Sequence, residues 1–142
     1  MKITEITSDH ILFNNGEKIT YTHYQDCCEY NYAEFKYLED DSEIYEIEFP
    51  ESLIYERINN MGFRFGFEGN MFFVPCYSEQ NGWYSDEIEI FYANKKVFEL
   101  NAFECEEEFE EEKKRRNSWE FDNESIKADK IVKCNYSKRK IL

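Results

Sequence analysis

Residues 62–78, GFRFGFEGNMFFVPCYS, decide how this chain is to be read. Two aromatic-rich runs, GFRFGF (62–67) and MFFVPCYS (71–78), flank Glu68-Gly69-Asn70. Aromatic side chains suit a pleated, half-buried surface, and a Gly-containing turn between two such runs predicts a β-hairpin. The pattern continues downstream. DEIEIFY (86–92) and KVFEL (96–100) flank Ala93-Asn94-Lys95, which predicts a second hairpin. Upstream, KITEIT (2–7), HILFN (10–14) and KITYTHY (18–24) alternate around an Asn15-Gly16 turn and predict a short meander. EIYEIEF (43–49) alternates as well, with Ile44, Glu46 and Glu48 on one face and Tyr45, Ile47 and Phe49 on the other, and Pro50 closing the run. SLIYERINN (52–60) is either a short helical turn or a strand. Residues 1–100 are therefore expected to form an antiparallel sheet of about six to eight strands.

The composition changes after residue 100. ECEEEFEEEKKRR (104–116) has no Gly or Pro, and its seven glutamates precede its four cations. That order complements a helix dipole and predicts a helix over residues 102–117, with Phe103 and Phe109 as anchors and Cys105 as a lesser contact. Residues 118–142 form a basic tail whose Trp119, Phe121, Ile126, Ile131 and Val132 can dock on this chain or on a neighbour. The expectation is a single α+β domain over residues 1–142: an antiparallel sheet body, a C-terminal helix and a short basic segment. Residues 1–100 carry seven Lys/Arg against twenty Asp/Glu, whereas residues 113–142 carry ten against four. A basic tail on an acidic body can pair with a second copy or fold back on its own body. A homodimer or higher homo-oligomer is the expectation.

The whole chain has 142 residues, a net charge of -14 and a pI near 4.6. This balance argues against non-specific binding to nucleic acid or to anionic membranes. It leaves a small anionic ligand open, because charges beyond about 8 Å are largely screened and a few local arginines can outweigh the global field. Thirteen Phe, eleven Tyr and two Trp supply enough apolar area for a core. No apolar leader opens the sequence and no 18-residue apolar run crosses it, so a cytoplasmic protein with five reduced thiols is expected. Adjacent Cys27 and Cys28 chelate one ion poorly, and Asp26 and Glu29 raise nearby thiol pKa values, so no metal site or cofactor is expected. His10 and His23 sit in alternating patterns where a half-buried structural histidine is common; no catalytic residue is assigned and the chain is expected not to be an enzyme. Glycine-rich phosphate cradles are absent, so a phosphate would have to be held by arginine. Of the five arginines, Arg64 is expected to lay its stem over the flanking rings with its head in solvent, and Arg115 and Arg116 suit a helix C-terminus.

PCYSEQNGWYS (75–85) combines aromatics, amides and an Asn81-Gly82 turn. It is either an aromatic hairpin packed in the core or a surface on which Trp83 and Tyr84 stack a base while Gln80, Asn81 and Ser85 read polar edges. Together with YTHYQDCCE (21–29) some fifty residues earlier, this stretch resembles a family of small phage-encoded proteins carrying a QDCCE box and an IPCYNEQNGYYS-like box. That family includes the Thoeris anti-defence sponges, which capture without cleaving a cyclic ADP-ribose-type signalling nucleotide made by TIR-domain enzymes. The resemblance covers residues 1 to about 92; Val74, Ser78 and Trp83 depart from it mildly. It implies a ligand held between protomers, with Arg57 on the pyrophosphate and Arg115 or Arg116 reaching in from a partner. Phe72, Trp83 or Tyr84 would stack on adenine and Asn81 would meet a ribose or base edge. It also implies separate sites for cyclic oligonucleotide signals. The alternative function is an acidic DNA mimic that inhibits a nucleic-acid-binding defence protein; a hydrolase that destroys the nucleotide comes third.

Overall fold

The computed structural model describes residues 1–22, 30–58, 60–79, 85–103 and 129–131. In chain order its strands are β1 (Ile3–Ile6), β2 (His10–Phe13), β3 (Lys18–Thr22), β4 (Tyr30–Ala33), β5 (Ile54–Ile58), β6 (Gly62–Phe67), β7 (Asn70–Glu79), β8 (Glu87–Tyr92), β9 (Lys95–Asn101) and β10 (Asp129–Ile131). They form two five-stranded sheets, ordered β1-β2-β3-β8-β9 and β10-β5-β6-β7-β4. Every named pair is antiparallel. The expected single sheet of six to eight strands over residues 1–100 is thus corrected to nine strands, β1 to β9, divided between two sheets, with β10 added from beyond that span.

The turns follow from local chemistry. Ala93 (φ 54°) and Asn94 (φ 64°) both take the left-handed region, the two-residue connection whose twist matches a hairpin, and so join β8 to β9. Asn15-Gly16 closes β2 onto β3, with the Gly16 N–H donating to the Phe13 carbonyl at 3.0 Å. Glu68-Gly69 does the same between β6 and β7, where Phe67 pairs with Asn70. Residues 54–58, ambiguous in sequence, are a strand paired on one side with β6 and on the other with β10, so tertiary pairing decides the case.

Two other expectations are corrected. Residues 43–49 are not a strand. Asp41 caps a 3-10 helix over Ser42–Glu46 by accepting from the Glu43 N–H at 3.1 Å. Ile44 and Ile47 lie three residues apart, the 3-10 period, so the alternation there matched both geometries. The helix expected over 102–117 does not begin where predicted. Ala102 and Phe103 are extended: the Ala102 N–H donates to the Asp86 carbonyl and the Phe103 N–H to the Cys76 carbonyl, each at 2.8 Å. The Phe103 carbonyl accepts from the Ser78 N–H at 2.7 Å. Backbone groups tied to two neighbouring strands cannot also close helical turns. Residues 104–117 lie outside the described residues, and the helices among the described ones are two 3-10 segments.

One core joins the sheets. Ile11, Phe13, Ile19, Ile88 and Ile90 from the first meet Tyr55, Phe63, Phe65, Val74 and Cys76 from the second. Phe49 sits between them, 5.7 Å from Phe13 and 5.9 Å from Phe65. Phe98 of β9 packs against both Tyr55 and Phe63. The second sheet is also covered on its outer side, where Ile58, Met61, Phe73 and Tyr77 form a smaller cluster with Tyr32, Tyr37 and Phe103. Arg64 lies on that side. It is not a solvent-seeking head: it is 1% exposed, its Nε 3.0 Å from Glu56 Oε1, and Glu56 is 2% exposed. The registry Glu56–Arg64–Phe73 across three strands puts the pair beneath a covered face, which overturns the expectation from the flanking phenylalanines.

Candidate functional site

The chain passes between the two sheets at one end of the sandwich. β4 and β7 pair with Ala33 opposite Cys76, Tyr32 opposite Tyr77, Asn31 opposite Ser78 and Tyr30 opposite Glu79. Tyr30 is the first residue after segment 23–29 and Glu79 the last before segment 80–84. Both boxes that carry the family resemblance therefore run into this single rung. QDCCE (25–29) ends one residue before it. PCYSEQNGWYS (75–85) enters it along β7 and returns at Ser85. Gln25–Glu29 and Asn81, Trp83 and Tyr84 themselves lie outside the described residues, as do Arg115 and Arg116.

Alternation along the strands sorts the rung's side chains. Asn31 and Ser78 face inward and are fully buried. The Asn31 amide donates to the Ser85 carbonyl at 2.9 Å and to the Glu87 carbonyl at 3.2 Å, while its oxygen accepts from the Ser78 hydroxyl at 2.5 Å. A single buried amide thus ties β4 and β7 of one sheet to the start of β8 in the other. Tyr30, Tyr32, Tyr77 and Glu79 face outward. Their rings form a ladder: Tyr30 to Tyr32 at 4.9 Å and Tyr32 to Tyr77 at 5.5 Å. The Tyr32 hydroxyl donates to Glu79 Oε1 at 3.4 Å. Burial, then the charge of Tyr30 and a hydrogen bond with it, raise the pKa of Tyr21 on β3.

Pro75 can occupy the interior of β7 because of its neighbours. It pairs with Gly62, where an added Cβ would stand 2.1 Å from the Val74 carbonyl oxygen. Its own carbonyl accepts from Glu34 at 2.9 Å. Cys76 is buried and free, and burial pushes its thiol above the ordinary range, which leaves it a poor nucleophile. His10 Nε2 stands 2.8 Å from Glu5 Oε2 on β1, far from any nucleophile of this rung. Among the described residues no group of three or more His, Cys, Asp or Glu could hold a metal ion.

The two described members of the predicted ligand set lie elsewhere. Arg57 is on the inner side of β5, where its Nη1 donates to the Glu99 carbonyl at 3.0 Å and so clips the second sheet to β9. By strand spacing it is roughly 20 Å from the Tyr30–Glu79 rung. Phe72 is at the opposite end of β7, packed 5.6 Å from Phe49 and 6.1 Å from Phe65; the seven residue steps from it to Glu79 span about 23 Å. Arg57 and Phe72 are therefore not brought to the rung within one chain. What sequence reasoning missed is the pair Tyr30 and Tyr32 with Asn31 between them. The signal was present in YNYA (30–33), two tyrosines two apart beside the box, which places both rings on one face of any strand. Comparison with protein-family models, curated proteins and solved structures gives no match for this chain.

Proposed function

We propose that this chain is a stoichiometric sponge that binds and holds, uncleaved, a cyclic ADP-ribose-type signalling nucleotide, acting in the cytoplasm of an infected bacterium as a homodimer or higher homo-oligomer and so blocking Thoeris immunity. The support is the resemblance of two boxes some fifty residues apart. The observation that carries the reading is their convergence on the one Tyr30–Glu79 rung, locked by Asn31 and Ser78. Sequence-distant segments meeting at a rigid corner between sheets are what a binding surface requires. Such a trap works by mass action, so it must bind at nanomolar strength, about -12 kcal/mol.

A body with seven cations against twenty carboxylates in residues 1–100 needs its phosphate-holding groups supplied locally. Arg115 or Arg116 of a neighbouring copy would serve, and Arg57 and Phe72, distant from the rung in their own chain, would reach a shared pocket only across protomers. Cyclic oligonucleotide signals would occupy separate sites. The test is calorimetric titration of the full chain with glyco-cyclic ADP-ribose, followed by heating and chromatography of the released ligand. Tight binding and an intact ligand are expected; absence of heat, with the signal still activating its effector, ends the reading. The acidic-mimic alternative rests on the net charge of -14. It predicts capture of a basic nucleic-acid-binding protein that is lost at high salt.

A further inference from the structure

We propose that the outer side of the Tyr30–Glu79 rung is a nucleobase subsite, in which the Tyr30 ring stacks on an amino-bearing base and the Glu79 carboxylate accepts from its exocyclic amine. Tyr30 is 53% exposed, the more open of the two exposed large apolar side chains among the described residues. Its exposure does not make it loose. The ring lies 4.9 Å from that of Tyr32 at an interplanar angle of 32°, and Tyr32 is in turn backed by Tyr77. A ring fixed before the ligand arrives loses little rotamer freedom on stacking. Flat faces of this kind accept bases largely regardless of sequence.

Glu79 supplies the selection. It is the exposed cross-strand partner of Tyr30, so its carboxylate stands beside the same ring face of the sheet. Ionised, it only accepts hydrogen bonds. It therefore suits the amino group of adenine, and disfavours uracil, whose edge N–H is flanked by two carbonyl oxygens. The same charge, with Asp86 and Glu87 close by in the chain, keeps phosphate away from this corner; the phosphates must lie toward arginines elsewhere. The subsite thus separates base recognition from charge neutralisation. The identity of the full ligand rests on the sponge reading; the base chemistry does not.

The test follows Tyr ring resonances of the full chain by NMR while adenosine, then uridine, is added, and measures glyco-cyclic ADP-ribose affinity for the same variants. Adenosine is expected to shift the Tyr30 and Tyr32 ring signals upfield, and uridine to do so several-fold more weakly. Tyr30→Ala should weaken adenosine about tenfold or more, the size of one base–ring stack. Tyr30→Phe should retain binding, because the ring and not the hydroxyl does the stacking. Glu79→Gln should erase the preference over uridine, while Tyr45→Ala, at the other exposed tyrosine, should change nothing. Unmoved Tyr30 signals, or unchanged adenosine affinity in Tyr30→Ala, overturns the subsite. If Tyr30→Ala holds the cyclic nucleotide as tightly as the wild type, the sponge stands and the subsite falls. If adenosine stacks on Tyr30 while the cyclic nucleotide does not bind, the subsite stands and the sponge reading falls.

Discussion

The two sheets are built from the same antiparallel ladder and handle charge in opposite ways. The first shows one wet face: β1 runs buried–exposed–exposed–buried, β2 and β8 alternate, and Lys96 on β9 sits between Glu89 at 3.0 Å and Glu99 at 2.6 Å, all three at the surface. The second is buried on both sides, so β5, β6 and residues 73–78 of β7 read as nearly continuous burial. Its charged pair, Glu56 and Arg64, is out of water altogether. The Lys96 triad keeps its hydration and adds little to stability. Glu56 and Arg64 have surrendered theirs, and each depends on the other to offset that loss. An antiparallel sheet with two covered faces is a middle layer, and in a middle layer a salt bridge is a commitment of the fold rather than decoration.

Breaking that pair is the largest expected effect. Arg64→Ala leaves a buried carboxylate without the guanidinium at 3.0 Å and should cost about 3–5 kcal/mol, read as a lowered urea midpoint. The double change Glu56→Met with Arg64→Leu should return the midpoint to the wild-type value or above, because well-packed apolar groups of similar volume avoid the desolvation cost. Lys96→Ala, the matching change in the first sheet, should leave the midpoint unmoved. An Arg64→Ala protein as stable as the wild type would erase the distinction between the sheets.

A smaller effect sharpens the same comparison through backbone approach. Gly62 and Gly66 flank Arg64 on the outer side of β6 at φ 156° and 148°. A Cβ on either would stand 2.1 Å from a β7 carbonyl oxygen, that of Val74 or Asn70. Neither obstacle is a flexible side chain, so Gly62→Ala and Gly66→Ala should each destabilise by about 1–3 kcal/mol as β6 and β7 are pushed apart. If hydrogen exchange along β7 is unchanged in both variants, the close approach of β6 and β7 is not what holds the middle layer flat.

This contrast explains which parts of the fold were legible. The meander, the β6–β7 hairpin and the β8–β9 hairpin were readable because their turns carry Asn-Gly, Glu-Gly and Ala-Asn between patterned strands. Where burial is continuous the alternation that identifies a strand is lost, so residues 54–58 stayed ambiguous and Arg64 was placed in water. The segment 43–49 failed for the opposite reason: its alternation was real, but Asp41 as a cap and the Ile44–Ile47 spacing served a 3-10 helix equally well. The division into two sheets could not be read at all, since the sequence between β3 and β4, and between β7 and β8, carries no signal of which sheet receives the next strand. At the candidate site, the boxes were legible as motifs, while their meeting at Tyr30 and Glu79 depends on a pairing between residues forty-nine apart. The role of Arg57 on the pyrophosphate rests on the resemblance alone, and in the fold its guanidinium is taken up by the Glu99 carbonyl of β9.

The smallest effect concerns alkaline pH and falls on the first sheet. Tyr21 on β3 and Tyr92 on β8 are half-buried where they face the core, and burial is the main cause raising both above the ordinary phenol value of 10.0. Ionising them in the folded protein is harder than in the unfolded chain. The sign follows: below about pH 10 both states keep the proton and the sheet's stability is intact, and as pH rises past 10 the unfolded chain releases protons that the native state retains, so stability falls. Urea midpoints at pH 8 and pH 11, paired with phenolate absorbance, should show late-titrating tyrosines and a lowered midpoint at the higher pH. Lys96 also has a raised pKa, from its hydrogen bonds to Glu99 and Glu89, and would be lost over the same window. It is a surface group screened by water, so Lys96→Ala should leave the alkaline slope as it was. Tyr21→Phe should flatten the slope, since it removes the proton whose retention burial enforces. A slope that follows Lys96 and not Tyr21 would mean that the first sheet, too, relies on its charges, and the difference between the sheets would shrink to one of degree.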